Sequence, residues 1–178
     1  MKMIKESDLS ILLTEAELQN KIAELAKSLN EFYNNEELYL ICVLKGSVMF
    51  TVDLAKHLKM PLRMEFIRLS SYGSGFASTG KVSAVDIALP DLNNKNVLIV
   101  EDIIDTGHTA KFLIDFINHN FKTKTLKFCS LMDKKCKREV DVDADFYCFE
   151  VDDKFLVGYG LDYDGYYRNI PYIGYVNL

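Results

Sequence analysis

Apolar residues alternate along the chain between short continuous runs and helical repeats. A capping-box sequence at Thr14 and Glu17 precedes apolar residues spaced three and four apart, which predicts a helix. Residues 37–44 form a continuous apolar run with β-branched and aromatic members, typical of a strand buried on both faces. A second helix is predicted from Val48 and a third over 107–118. Further strands are predicted at 62–69, 82–88, 97–101, 124–131, 145–151, 155–161 and 172–176.

This alternation of strands and helices predicts an α/β fold with a mostly parallel, twisted sheet flanked by helices. The chain has 178 residues, which suits one domain better than two. No internal repeat and no Pro-, Gly- or Ser-rich linker divides it. We therefore expect a single domain over residues 1–178.

The composition narrows the class of protein. The chain is 49% hydrophobic and 26% charged, an ordinary mixture for a globular protein. Its net charge of -5 argues against a surface that coats nucleic acid. No apolar run approaches the roughly 20 residues that cross a bilayer, and no apolar segment near the N-terminus suggests a secretory signal. We expect neither nucleic acid nor a membrane as a partner.

The four cysteines are scattered and contain no Cys-x-x-Cys pair. Cys42, Cys129 and Cys148 lie in apolar stretches, where cysteine commonly acts as a small hydrophobe. The spacing favours neither a zinc site nor a disulfide framework. These features indicate a reducing, cytoplasmic compartment.

The most informative segment joins the strand at residues 97–100 to the third helix. Glu101 and Asp102 follow the strand, and Asp-Thr-Gly-His-Thr at 105–109 opens the helix. Small and hydroxyl residues at a helix N-terminus let backbone N–H groups converge on a phosphate. Carboxylates beside a phosphate would repel it unless they also bind another group. They could accept hydrogen bonds from sugar hydroxyls or bind Mg²⁺, and both roles stay open. If this segment binds no ligand, it would be a solvated acidic turn before a capped helix.

The same residues resemble the 5-phosphoribosyl 1-pyrophosphate (PRPP) binding signature of the type I phosphoribosyltransferases. Other segments resemble, in the same order, the branch that acts on 6-oxopurines. These segments are Leu44–Gly46, Ser71–Tyr72, Lys134–Arg138 and Lys154–Arg168. The resemblance implies the type I fold with a small hood subdomain. It also implies Mg²⁺-dependent transfer of the phosphoribosyl group to N9 of hypoxanthine, and of guanine as well, in purine salvage.

The resemblance assigns the acidic residues. Glu101 and Asp102 would hold the ribose hydroxyls directly or through Mg²⁺, and Asp162 would hold Mg²⁺ on the pyrophosphate side. Asp105 would be the catalytic group, acting as a general base or hydrogen-bond acceptor at purine N7.

It also assigns the groups that bind the phosphates. The 5′-phosphate cradle would comprise Thr106, Gly107, His108 and Thr109, with His108 acting through its backbone because many relatives carry another residue there. The pyrophosphate contacts would be Lys45, Gly46, Ser71, Tyr72, Arg138 and Arg168. In this family the peptide bond between Leu44 and Lys45 is often cis, and Ser71 with Tyr72 forms a lid.

The purine contacts follow in the same way. Lys134 would donate to the purine O6, Phe155 would stack on the ring, and Leu156 would offer its backbone, with Asp162 nearby. If these residues bind no purine, the basic run at 134–138 would be a solvated surface, and Leu156 would place its side chain in the core.

Two other classes stay open at this point. One is a non-catalytic regulator that keeps the PRPP fold and binds nucleic acid. The other is an enzyme of this fold that uses xanthine, uracil or adenine, of which adenine is disfavoured because its 6-amino group is itself a donor. The resemblance further implies a homodimer or homotetramer.

Overall fold

The computed structural model describes residues 8–71 and 82–176, which form nine strands and three α-helices within those ranges. The strands are β1 (Leu9–Leu13), β2 (Leu38–Leu44), β3 (Leu62–Ser71), β4 (Val82–Asp86), β5 (Asn96–Ile104), β6 (Thr125–Asp133), β7 (Phe146–Glu150), β8 (Leu156–Val157) and β9 (Ile173–Val176). The helices are α1 (Glu15–Tyr33), α2 (Val48–His57) and α3 (His108–Asn120), and a short 3₁₀ helix spans Lys135–Lys137.

The main sheet has six strands in the order β4-β3-β2-β5-β6-β7. The five strands from β3 to β7 in this order are parallel, and β4 pairs with β3 antiparallel at the edge. The predicted α/β class and mostly parallel sheet are therefore confirmed.

Helices cover both faces of this sheet. On one face α1 and α2 bury a core that includes Leu18, Phe50 and Leu98, whereas on the other α3 packs Leu113 and Ile117 onto the sheet. The first helix begins as its sequence predicts, because Thr14 Oγ1 accepts from Glu17 N at 3.3 Å and Glu17 Oε2 accepts from Thr14 N at 2.8 Å. No helix in the described residues is long and apolar enough to cross a membrane.

The two central strands leave the sheet in opposite directions. After β2 the chain passes through α2 to β3 on one side, and after β5 it passes through α3 to β6 on the other. Neighbouring strands that diverge in this way leave a crevice at their carboxyl ends, where open α/β sheets bind ligands.

A second, small antiparallel sheet has the order β1-β9-β8 and forms the hood. Strand β1 was not predicted, since five residues with a half-exposed pattern give a weak signal. The predicted strand at 155–161 is wrong beyond Val157. The chain turns there because Gly158, Tyr159 and Gly160 have φ values of 101°, 47° and 102°, which no strand adopts.

Candidate active site

A cleft of about 240 Å³ lies at the carboxyl ends of β2 and β5. It gathers six residues that the sequence predicts for the site, with Val43, Leu44 and Leu69 completing its lining: Gly46, Glu101, Asp102, Thr109, Asp162 and Arg168. A larger cleft of about 410 Å³ lies near the hood, between Leu13 and Lys154, and its lining includes none of the predicted site residues.

Two acidic side chains form the inner wall of the smaller cleft. Glu101 is only 7% exposed and ends the buried part of β5, with Asp102 beside it. Burial raises the pKa of Glu101 well above its ordinary value, and the neighbouring Asp102 raises it further. Burial also raises the pKa of Asp102 to about 6, with Arg168 acting in the opposite direction. Both carboxylates are therefore poorly solvated and would be stabilised by a bound cation or by hydroxyl donors.

The segment after β5 that is predicted to bind the 5′-phosphate, residues 105–109, is called the phosphate loop below. Its shape depends on Gly107, whose φ is 89°. A Cβ at this position would lie 2.7 Å from Val142 Cγ1 and 2.9 Å from Arg138 Cδ, so only glycine fits. The loop is held from below by Glu139 N, which donates to the Thr106 carbonyl at 2.9 Å. Helix α3 begins at the next residue and directs its free N–H groups toward the loop.

On the facing side, the Leu44–Lys45 peptide bond is cis, as the family resemblance suggested. Gly46 packs so closely against Asp102 that a Cβ on it would lie 1.7 Å from Asp102 Oδ2. Lys45 is exposed and lies between Leu44 and Gly46, which line the cleft. The loop after β2 and Asp102 near the end of β5 are thus in direct contact.

A second cluster comprises Lys134, Asp105 and Phe155, and we name it the purine corner after the role predicted for these residues. Lys134 is 7% exposed, and its Nζ lies 3.9 Å from Asp105 Oδ1. The same Nζ donates to the Lys154 carbonyl at 3.1 Å, which places the amine beside Phe155. Phe155 is partly buried and meets Tyr163 edge to face, with ring centroids 5.6 Å apart. Leu156 buries its side chain in the core.

Asp162 and Arg168 come from the hood and pair with each other. Arg168 Nη2 lies 2.6 Å from Asp162 Oδ1, and Arg168 Nη1 donates to the Gly160 carbonyl at 2.6 Å. Gly165 N donates to the other Asp162 oxygen at 2.7 Å. Two oppositely charged groups are therefore held at the mouth of the cleft.

Arg138, which the sequence predicts to contact pyrophosphate, lies under the phosphate loop. Its guanidinium donates to the Asp105 carbonyl at 2.7 Å through Nη1 and forms an ion pair with the buried Asp133 through Nη2. Arg138 does not line the cleft. Its position under the phosphate loop makes it a support for Asp105 and Gly107.

Sequence reasoning missed two acidic residues of the site. Asp133 ends β6 and neutralises Arg138, and Asp153 lies 3.7 Å from the Lys134 amine. A single acid between an apolar strand and a basic run was the available signal for Asp133. Of the predicted lid, Ser71 ends β3, and Tyr72 lies outside the described residues.

The donor set fits Mg²⁺. Glu101, Asp102 and Asp162 offer hard carboxylate oxygens, and two of these carboxylates are desolvated. The described residues contain no group of three or more ligating side chains at metal-binding spacing.

Comparison with known proteins agrees with this geometry. The family model for the phosphoribosyl transferase domain matches residues 9–164. The hypoxanthine-guanine phosphoribosyltransferase of Bacillus subtilis is 41% identical over 172 residues, covering 97% of this chain and 95% of that protein. The corresponding protein of Aquifex aeolicus is 43% identical over 172 residues, covering 96% of each chain.

Solved structures show the same relationship. A hypoxanthine phosphoribosyltransferase from Staphylococcus aureus superposes with a TM-score of 0.91 at 39% identity, over 99% of this chain and 96% of that one. The chain belongs to the phosphoribosyltransferase family and has the type I fold.

Proposed function

We propose that this protein transfers the 5-phosphoribosyl group from PRPP to N9 of hypoxanthine, and of guanine, releasing pyrophosphate and the purine nucleoside 5′-monophosphate. The reaction serves purine salvage. The observation that carries the proposal is the approach of the Lys134 amine to the Asp105 carboxylate, 3.9 Å apart, beside a phosphate loop and an acid pair. This approach supports a purine donor and acceptor next to a ribose phosphate site.

The phosphoribosyl half of the substrate fits the loop after β5. Backbone N–H groups at the start of α3, with the Thr106 and Thr109 hydroxyls, would hold the 5′-phosphate. His108 would add a backbone N–H, while its Nε2 lies 2.9 Å from Glu139 Oε2. Glu101 and Asp102 would accept hydrogen bonds from the ribose hydroxyls.

Mg²⁺ would be held by Glu101 and Asp102 on the ribose side and by Asp162 on the pyrophosphate side. When bound, it supplies positive charge that neutralises the phosphate oxygens of PRPP. The protein's own cations on that side are Lys45 and Arg168, which would stabilise the departing pyrophosphate. Arg138, which supports the loop through its bond to the Asp105 carbonyl, would add a third positive charge.

The purine would enter the purine corner, with its ring on Phe155. Lys134 would donate to O6, and Asp105 would accept at N7, while the Phe155–Leu156 backbone offers partners to the edge of the base. Adenine carries an amino donor where hypoxanthine carries O6, so a lysine ammonium disfavours it.

The reaction breaks the bond between C1′ and the pyrophosphate oxygen and forms the bond between C1′ and purine N9. Positive charge develops on the ribose as the pyrophosphate leaves with the bonding electron pair. The purine loses one ring proton as N9 forms the new bond. Asp105 would accept this proton at N7 as a general base, or would first hold it there as a hydrogen-bond acceptor. The nucleotide and pyrophosphate are the products.

A spectrophotometric assay with PRPP, Mg²⁺ and one base at a time tests the proposal. We expect turnover with hypoxanthine and guanine, weak or no turnover with adenine, and complete loss on adding EDTA. A folded protein that binds PRPP but turns over no base would overturn it and favour a regulator. Binding to RNA or DNA on filters would then identify that class.

We further propose that the protein is a cytoplasmic homodimer or homotetramer. Met49, Val52 and Phe66 are exposed apolar residues, and Phe66 lies on the sheet face that α2 covers. A Trypanosoma cruzi hypoxanthine phosphoribosyltransferase, 38% identical with a TM-score of 0.90, was solved to study how its C-terminal region affects oligomeric state and activity. Analytical ultracentrifugation checks this proposal, and a monomer at micromolar concentration would contradict it.

A further inference from the structure

The turn that follows β8 has an unusual backbone. Gly158, Tyr159 and Gly160 all have positive φ, and Tyr159 adopts this conformation at 47° although it carries a side chain. Residues other than glycine, asparagine and aspartate rarely occupy this region, so surrounding contacts must hold Tyr159 there.

Those contacts come from the two helices on the same face of the sheet. Tyr159 is 5% exposed, and its hydroxyl donates to Asp53 Oδ2 on α2 at 2.7 Å. Gln19 Nε2 on α1 donates to the same oxygen at 2.8 Å. Lys56 Nζ lies 2.8 Å from the other Asp53 oxygen. Burial acts to raise the pKa of Asp53, but the hydrogen bonds from Lys56, Tyr159 and Gln19 lower it below its ordinary value, so the carboxylate stays ionised. We name Tyr159, Asp53 and Gln19 the Tyr159 cluster.

The other side of the turn contacts Gly46, which lines the cleft. A Cβ on Gly160 would lie 1.9 Å from the Gly46 carbonyl oxygen, so the turn and the loop after β2 touch backbone to backbone. Gly160 also exchanges two hydrogen bonds with Arg168: its N–H donates to the Arg168 carbonyl at 2.9 Å, and its carbonyl accepts from the guanidinium at 2.6 Å. The position of the turn therefore fixes Arg168 relative to Gly46.

We infer that the Tyr159 cluster positions the pyrophosphate side of the active site. The cluster itself does not line the cleft, so its members are positioning residues that act through the turn on Arg168 and Asp162. This inference rests on the proposed function for its kinetic consequence, whereas its structural consequence can be measured without turnover.

The structural test is hydrogen exchange on the unliganded protein. Tyr159→Phe removes only the hydroxyl and keeps the buried ring. We expect the amides of Tyr159 and Gly160, which donate to the carbonyls of Ile170 and Arg168, to exchange about tenfold faster, the scale of losing a hydrogen bond to a charged group. Tyr33→Phe, at the far end of α1, is the matched control and should leave these amides unchanged. Equal exchange in wild type and Tyr159→Phe would overturn the inference, whether or not the protein turns over a purine.

The kinetic test separates positioning from general destabilisation. In Tyr159→Phe and Asp53→Ala we expect KM for PRPP to rise about fivefold, consistent with one lost hydrogen bond, with KM for hypoxanthine unchanged. Asp53→Asn should restore most of the affinity, because its amide oxygen can accept at the Oδ2 position. An equal rise in both KM values, no rise at all, or failure of Asp53→Asn to recover would contradict positioning. A wild-type protein that turns over no purine would instead refute the proposed function and leave the exchange result standing.

Discussion

The two sides of the candidate active site are built in different ways. The phosphate side is contiguous in the chain: Glu101 to Thr109 run from the last residues of β5 into the first turn of α3. The opposite side is assembled from distant segments, with Gly46 after β2 in contact with Gly160 of the hood. A contiguous site keeps its shape through local backbone geometry, whereas an assembled site depends on how well the segments pack.

On the assembled side, the largest effect on turnover is expected from a substitution at Gly46, where the contact is closest. In Gly46→Ala the new Cβ would overlap the Asp102 carboxylate, so the loop or the acid must move. We expect turnover to fall by at least a hundredfold, since a displacement of about 1 Å is enough for such a loss.

The comparison variant for that test is Gly165→Asn. Gly165 also has positive φ, at 84°, but a Cβ there meets nothing within 4 Å, and asparagine tolerates this conformation. Its turnover should stay within about twofold of wild type, as for a surface substitution. Full activity in Gly46→Ala would show that the assembled side tolerates displacement.

The ion pair beneath the phosphate loop tests how much the contiguous side depends on support from elsewhere. Arg138→Met would leave Asp133, which is 1% exposed, as a buried charge without its partner. We expect the free energy of unfolding in urea to fall by about 3–5 kcal/mol. Arg63→Met, which breaks the exposed pair with Glu37, should cost less than about 1 kcal/mol. Equal losses in the two variants would contradict a supporting role for Arg138.

Asp105 belongs to the contiguous segment but faces the purine corner, so it connects the two sides. Asp105→Asn should lower kcat about a hundredfold, the usual contribution of a positioned general base, while the Kd for PRPP changes little. The control is Asp115→Asn, an exposed residue of α3 that pairs with Lys111. An unchanged kcat would remove Asp105 from the mechanism.

Substitution of Lys134 has the smallest expected effect on catalysis, and this effect is confined to the binding of the purine. Lys134→Ala should raise KM for hypoxanthine about tenfold, because O6 loses a charged donor, and should leave KM for PRPP unchanged. Lys135→Ala is the matched control, since Lys135 is exposed and pairs with Glu150. If both variants behaved alike, Lys134 would have no specific role in binding the purine.

The same contrast explains what could be predicted from sequence. The strand, acid pair and Asp-Thr-Gly-His-Thr segment carry their geometry in adjacent residues, so periodicity and turn chemistry locate them. The α/β sheet follows from the same periodicity. Pattern analysis could not place Tyr159 against Asp53, because 106 positions separate them in the chain. It could not pair Asp133 with Arg138 either, because a spacing of five residues between an acid and a base does not by itself predict an ion pair.

One error has a clear physical origin. The strand predicted over 155–161 stops at Val157 because three positive φ values turn the chain toward Gly46, and apolar spacing does not encode backbone handedness. The pyrophosphate contact that the resemblance implies for Arg138 stays a prediction. Nothing in the sequence indicated that its guanidinium would also engage Asp133 and the Asp105 carbonyl.

The central claim is that the two sides together transfer a phosphoribosyl group to a purine. Phosphorus NMR of the protein with PRPP, Mg²⁺ and hypoxanthine tests it directly. We predict that pyrophosphate and a nucleoside 5′-monophosphate appear in equal amounts as PRPP disappears. Pyrophosphate accompanied by ribose 5-phosphate, or PRPP that persists unchanged, would contradict the account.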